Sequence, residues 1–173
     1  GIGPDDHVLE IGCGWGGFAE FAAREIGCKV TGLTISKEQF EFAVERIAKA
    51  GLSDKVNFKL QDYRDETGTY DRIASIEMFE AVGEAYWPVY FRKLNELLRP
   101  GGTAGLQVIT IRDESFHAYK NEIDFIRAYI FPGGMLPTPG IMTSLGQTFG
   151  LPLASEKIFG LDYARTLVMW RDH

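Results

Sequence analysis

Strand-patterned and helix-patterned runs take turns along the first 111 residues of this 173-residue chain, and that alternation limits its fold more than any other feature. VLEIG (8–12) reads as a strand, and FAEFAAREIG (18–27) as a helix closed by Gly27. CKVTGLTI (28–35) reads as the second strand. Ser36 then stands at an N-cap position with Gln39 three residues on, the spacing of a capping box. The helix that follows carries Phe40, Ala43, Val44, Ile47 and Ala48 on one face and stops at Gly51. VNFKLQD (56–62) and DRIASIEM (71–78) read as strands 3 and 4. Residues 84–98 place Trp87, Tyr90, Phe91, Leu94 and Leu98 in one helical stripe, RPGG (99–102) breaks it, and TAGLQVITI (103–111) is strand 5. Strands alternating with helices predict an α/β fold with a doubly wound, mostly parallel sheet covered on both faces.

Beyond residue 111 the rhythm changes. Residues 112–150 read as a helix (Ser115–Tyr129), the turn-rich FPGGMLPTPG and a second short helix, with SEKIFG (155–160) as a sixth strand. An insertion between strands 5 and 6 is expected to act as a lid over a site. The length predicts a single domain over 1–173.

Composition narrows the partners. A net charge of −6 lacks the basic footprint that nucleic acid requires. No apolar run approaches the roughly 20 residues of a spanning helix, and no signal peptide and a cytoplasmic location are expected. Two cysteines, Cys13 and Cys28, make neither a disulfide framework nor a zinc site.

The glycines after strand 1 carry the chemistry. In VLEIGCGWGG, Gly12, Gly14 and Gly17 satisfy the G-x-G-x-x-G spacing of a dinucleotide loop, a weak signal alone. Strand 2 ends in GLTIS, without the acid that dinucleotide folds place there for the ribose. Glu10, Gly12, Gly14 and Gly16 form E-x-G-x-G-x-G instead. That pattern resembles the first motif of the class I S-adenosylmethionine-dependent methyltransferases, whose sheet is Rossmann-like. The resemblance implies a loop beneath the methionine part of the cofactor, with the acid orienting its ammonium. Asp62 in LQDY falls where such enzymes hold the adenine amino group, and LLRPGG before strand 5 is frequent among them. A nicotinamide cofactor is the poorer alternative.

IGCGWGG, GLTISKEQ, LQDYRD, SIEMFEAVG, YIFPGGMLP and FGLDYARTL, in that order, resemble the cyclopropane-fatty-acyl-phospholipid and mycolic-acid cyclopropane synthases over nearly the whole chain. The resemblance implies methyl transfer from S-adenosylmethionine to a cis double bond of an unsaturated phospholipid acyl chain, with peripheral contact at the inner membrane face. It also implies a bound bicarbonate that takes a proton as the ring closes. Glu80 then corresponds to the catalytic glutamate that helps hold bicarbonate, Tyr163 to the family tyrosine, and Ile76 to a main-chain contact. Leu33, Thr34 and Gln39 correspond to cofactor contacts after strand 2, and Asp62 and Tyr63 to the adenine neighbourhood. Each has a plainer reading: Glu80 as a loop charge, Gln39 as half of the capping box, Tyr163 as a core ring. Trp15 reads as packing around the loop and His117 as a solvated or structural histidine.

Three departures from the family qualify the expectation. Gln107 stands where the family has a strand-5 histidine; it can hydrogen-bond bicarbonate but relays no proton near neutral pH. The family's FEH is FEA here, with Ala81. Together these turn attention to a methyl- or methylene-branched product as well as a cyclopropane. The third departure is length: the family's helical segment before strand 1, with a cysteine for bicarbonate, and its last strand are expected to be missing. From that, little or no turnover is expected of these 173 residues alone. Local pattern lets ARTLVMW close a hairpin, whereas the resemblance makes it a helix. The competing functions are a methyltransferase for a small polar acceptor and a cofactor-binding module without catalysis.

Overall fold

The computed structural model describes residues 1–172. Its sheet has five strands: β1 (His7–Ile11), β2 (Lys29–Thr34), β3 (Val56–Leu60), β4 (Tyr70–Ile76) and β5 (Leu98–Gln107), in the order β3-β2-β1-β4-β5. Every pairing is parallel. The crossovers supply the helices: α1 (Gly17–Phe21), which widens into a π-helical turn over Ala22–Ile26, α2 (Lys37–Lys49) and α3 (Trp87–Leu97). Farther along lie α4 (Phe116–Asn121), α5 (Pro139–Thr148) and α6 (Gly160–Arg171).

Central strands buried on both faces read as near-continuous apolar runs, and β1 feeds two cores. Val8 packs with Ala19, Val30, Ala43, Ile47 and Phe58 on one face. Leu9 and Ile11 join Leu33, Ile73 and the α3 stripe on the other. Trp87, Tyr90, Phe91 and Leu94 are all buried, as the stripe requires. Each such side chain contributes roughly 1.5–3 kcal/mol through burial alone. The α2 face is narrower than its pattern: Ala43 and Ile47 are buried, while Val44 and Ala48 are exposed.

Four expectations are corrected. SEKIFG (155–160) is no strand: residues 151–159 run as irregular chain, with Ile158 86% exposed. A strand needs a ladder partner, and β5 forms the edge of the five-stranded sheet without it. The segment 112–150 therefore follows β5 but lies between no pair of strands. β5 itself begins at Leu98 and ends at Gln107, not at 103 and 111. Leu98 pairs with Tyr70, residues 99–102 bulge out, and the regular ladder resumes at Thr103 opposite Arg72. It stops at Gln107 because later donors are used elsewhere: Ile109 N–H bonds the Glu80 carboxylate and Ile111 N–H the Pro137 carbonyl.

The helix expected over Ser115–Tyr129 is broken into α4 and a π-helical turn at Ile126–Ile130. Asp124 accepts the Arg127 N–H and caps the second piece, while the Arg127 guanidinium donates to the Tyr119 and Glu122 carbonyls. ARTLVMW lies within α6, as the resemblance implied and the hairpin reading did not.

Candidate functional site

From β1 the chain proceeds outward to β2 and β3 on one side of the sheet; β4 and β5 lie on the other. The crevice beyond the carboxyl ends of β1 and β4 is the switch point where open parallel sheets take their ligands. The glycine loop closes one side of it. Gly12 N–H and Cys13 N–H both donate to the Leu33 carbonyl, at 3.1 and 2.8 Å, so Leu33 serves the loop through its main chain. Gly12, Gly14 and Gly16 all have left-handed φ values, +83°, +50° and +79°, whereas Gly17 simply opens α1. The spacing that follows Glu10 is thus the one the backbone uses. A Cβ on Gly12 would lie 2.8 Å from Met78 Cγ, whereas one on Gly14 would meet nothing within 4 Å. Gly12 packs the loop against the segment after β4; Gly14 leaves open space beside bare backbone, where a ligand can approach.

Glu10 lies inside this wall. It pairs in register with Gly32 and Ala74, is 3% exposed, and its Oε2 has no hydrogen-bond partner. Burial pushes its carboxyl up to about 8. The neighbouring Cys13 thiol is pushed up to about 12 by burial and by the Glu10 charge. A buried carboxylate needs a cation or donors, and the ammonium of a bound amino acid supplies both.

Thr34 and Gln39 lie together at the end of β2. The Thr34 hydroxyl donates to Gln39 Oε1 at 2.8 Å and accepts the Ser36 N–H at 3.1 Å. Ser36 Oγ accepts the Gln39 N–H, so only half of the capping box forms and the Gln39 amide is held at the end of β2 instead. Asp62 is already engaged: both its oxygens accept from the Arg64 guanidinium, which holds its carboxyl below the usual range. Tyr63 packs edge-on against Tyr90, with ring centres 5.3 Å apart.

Across the crevice, Ile76 at the end of β4 lies opposite Gln107 in the ladder and is 40% exposed. Glu80 sits in the short turn Phe79–Ala81. Its Oε1 accepts the Ile109 N–H at 2.6 Å, while Oε2 is buried and unpartnered. Burial raises its carboxyl, and the charge of Glu77 raises it further. Tyr163 on the first turn of α6 is half-buried and feels the charges of both Glu77 and Glu80. Gln107 Nε2 donates one hydrogen bond to Glu77 Oε1 at 2.9 Å.

Three participants carry no sequence signal. Glu77 adopts φ +51°, the one left-handed residue other than glycine among those described. The Tyr90 hydroxyl is fully buried without a partner. Met135 N–H donates to the Glu80 carbonyl at 2.9 Å, tying the segment after β5 to the site. Trp15 packs edge-on against Phe42, in keeping with a packing role. His117 is exposed on α4, and no group of metal-ligating side chains occurs among the described residues.

A glycine turn of this form at the switch point of a parallel sheet, backed by a buried acid, marks the cofactor crevice of the class I S-adenosylmethionine-dependent methyltransferase fold. The profile of the family described as "Mycolic acid cyclopropane synthetase" matches residues 1–173, and the chain belongs to that family. It is 42% identical over 173 residues to the tuberculostearic acid methyltransferase UfaA1 of Mycobacterium tuberculosis, covering 99% of this chain and 40% of that protein. It is 38% identical over 169 residues to the cyclopropane-fatty-acyl-phospholipid synthase of Escherichia coli, covering 96% and 41%. The crystal structure of the mycolic acid cyclopropane synthase CmaA1 with SAH and CTAB superposes with a TM-score of 0.89 at 27% identity, over 98% of this chain and 63% of that one. The chain thus spans about two-fifths of the length of these curated relatives.

Proposed function

We propose that this chain is the cofactor-binding and methyl-transferring core of an enzyme that methylates a cis double bond in an unsaturated phospholipid acyl chain, leaving a cyclopropane or a methyl- or methylene-branched chain. Glu10, Gly12, Gly14, Gly16, Leu33, Thr34, Gln39, Asp62 and Tyr63 hold the donor, and Ile76, Glu80, Gln107 and Tyr163 face the acceptor. The donor supplies a methyl group on positively charged sulfur. An alkene is a weak nucleophile, so the protein's task is to hold the two in line and keep water out.

One observation carries the lipid reading over a small polar acceptor: the segment after β5 is anchored on Glu80 and carries an exposed apolar surface. Met135 bonds the Glu80 main chain, and Met135, Ile141, Met142 and Leu145 pack on the α3 core. Beyond that anchor, Ile123, Phe125, Tyr129, Ile130 and Phe131 are at least half exposed. Such a surface suits an acyl chain and the membrane it comes from, and acts as a lid when lipid is present. The relatives point the same way, two of them being named for fatty acids. No helix among the described residues is long and apolar enough to cross a membrane, so contact with the bilayer is peripheral in this reading.

The test is expression of the native gene product in a host rich in monounsaturated phospholipid, with its acyl chains analysed by mass and NMR. New chains heavier by one methylene group, with the olefin consumed or moved, are expected. Unchanged lipid together with methylation of a soluble amine or alcohol would replace this reading with the small-acceptor one.

A further inference from the structure

Between Arg64 and Thr69 the chain is exposed at every position but one, and that one is an acid: Glu66 is fully buried. A buried carboxylate persists only where donors surround it, and here they do. Lys59 Nζ donates to both its oxygens, at 2.8 and 2.9 Å, the Tyr70 hydroxyl to Oε1 at 2.8 Å and Gln61 Nε2 to Oε2 at 3.0 Å. Burial alone would raise this carboxyl, but the bonds from Lys59 and Tyr70 outweigh it and hold it below the usual range. The partners come from separate elements. Lys59 is on β3 and Tyr70 opens β4, strands that β2 and β1 keep about 14 Å apart at three strand spacings. Glu66 thus ties together two parts of the sheet that share no ladder.

An apolar side chain of similar volume would fill that space at no greater cost than an ion pair. What it would lack is the bond to Gln61. Gln61 precedes Asp62, and its own N–H donates to the Thr34 carbonyl at 2.9 Å. Tyr63 follows Asp62, and its carbonyl accepts the Glu66 N–H at 3.2 Å. Both neighbours of Asp62 are therefore held by Glu66, one through its side chain and the other through its main chain. Among the described residues the Asp62 carboxylate bonds only Arg64: Oδ1 accepts the Arg64 N–H and Nε, both at 2.9 Å, and Oδ2 accepts Nη2 alone, at 2.8 Å. Oδ2 keeps a lone pair free. An ionised carboxylate with a free lone pair takes an amino hydrogen and repels a carbonyl oxygen.

We propose that Glu66 is the positioning residue of the adenine-binding turn: clamped between β3 and β4, it fixes Gln61 and Tyr63 so that Asp62 Oδ2 meets the amino group of the cofactor's purine. This rests on the reading above in which Asp62 and Tyr63 hold the adenine end of the donor. Glu66 acts through its neighbours. Its loss blunts the choice between an amino and an oxo purine, which a residue that merely fills space would leave alone.

The experiment measures, by calorimetry on the native gene product, the affinities of S-adenosylhomocysteine and S-inosylhomocysteine, the second carrying oxygen in place of the purine amino group. Wild type should prefer the amino form by about 10- to 150-fold, the worth of one hydrogen bond to a charged group. Glu66→Leu and Gln61→Met should each cut that preference to about threefold or less. Lys59 is 36% exposed and can turn to solvent when Glu66 is replaced. Gln61→Met leaves Lys59, Glu66 and Tyr70 bonded as they are and covers the case in which the first variant folds poorly. A general loosening of the fold weakens both ligands alike and leaves their ratio unchanged. A preference unchanged in either folded variant overturns the proposal and leaves Asp62 at the amino group. No preference in the wild type, or one that survives Asp62→Ala, overturns the adenine reading and the proposal with it.

Discussion

Replacing Glu10 by glutamine isolates what a buried carboxyl costs this fold and what it contributes to binding. The carboxyl is 3% exposed and raised from an ordinary 4.5 to about 8, with burial as the cause. The folded protein therefore holds this proton more tightly than the unfolded chain does. The associated stability is complete below about 4.5 and is lost as pH rises through about 8. At about 1.36 kcal/mol per unit, the whole effect is about 5 kcal/mol, of which about 3 to 4 kcal/mol falls between about pH 5 and about pH 8. For a chain of this size that corresponds to a Tm difference of roughly 10 °C. Thermal melts of cofactor-free wild type and Glu10→Gln across that window read it directly, because groups shared by both proteins cancel in the difference. The variant should become progressively the more stable of the two as pH rises. It should also bind S-adenosylhomocysteine more weakly, having lost the charge that meets the ammonium. In the wild type, binding near neutral pH should release close to one proton, visible calorimetrically in buffers of different ionisation enthalpy. Parallel stability curves, or a glutamine variant that loses stability as steeply as wild type, would refute this account of Glu10.

Three further outcomes are expected. Gly12→Ala places a Cβ 2.8 Å from Met78 Cγ at φ +83°, and should cost about 1–3 kcal/mol in denaturant melts along with most of the cofactor affinity. Tyr90→Phe removes a buried hydroxyl that has no partner, and should be neutral or stabilising by about 1 kcal/mol; a clear loss of stability would show that the hydroxyl is bonded in solution. Thr34→Val removes the bonds to Gln39 and to Ser36 N–H, and should cost about 1–2 kcal/mol of stability while weakening cofactor binding.

Much of the site is legible in sequence because it is built from local rules. Glu10 and its three glycines occupy alternate positions within seven residues, and their spacing describes one turn. Ser36 caps α2 because a serine ahead of a helical pattern does so wherever it occurs. The placement of Glu77 is another matter. Nothing in IEMF marks its glutamate as left-handed, and its bond to Gln107 joins residues thirty positions apart. Asp62 shows the opposite limit: its position is recognisable, but its engagement with Arg64 depends on side-chain geometry that no spacing records.

The sequence by itself determined that helices and strands alternate, that the sheet is parallel, and that a ligand backs onto the turn after β1, since hydrophobic period and backbone freedom are properties of a few neighbouring residues. Only the tertiary structure decided where the sheet ends and which groups surround Glu80. SEKIFG reads as a short strand yet lies unpaired, because a ladder needs a second strand brought from elsewhere in the chain. Gln107 donates to the Glu77 carboxylate because β4 and β5 lie side by side and one strained residue turns back between them.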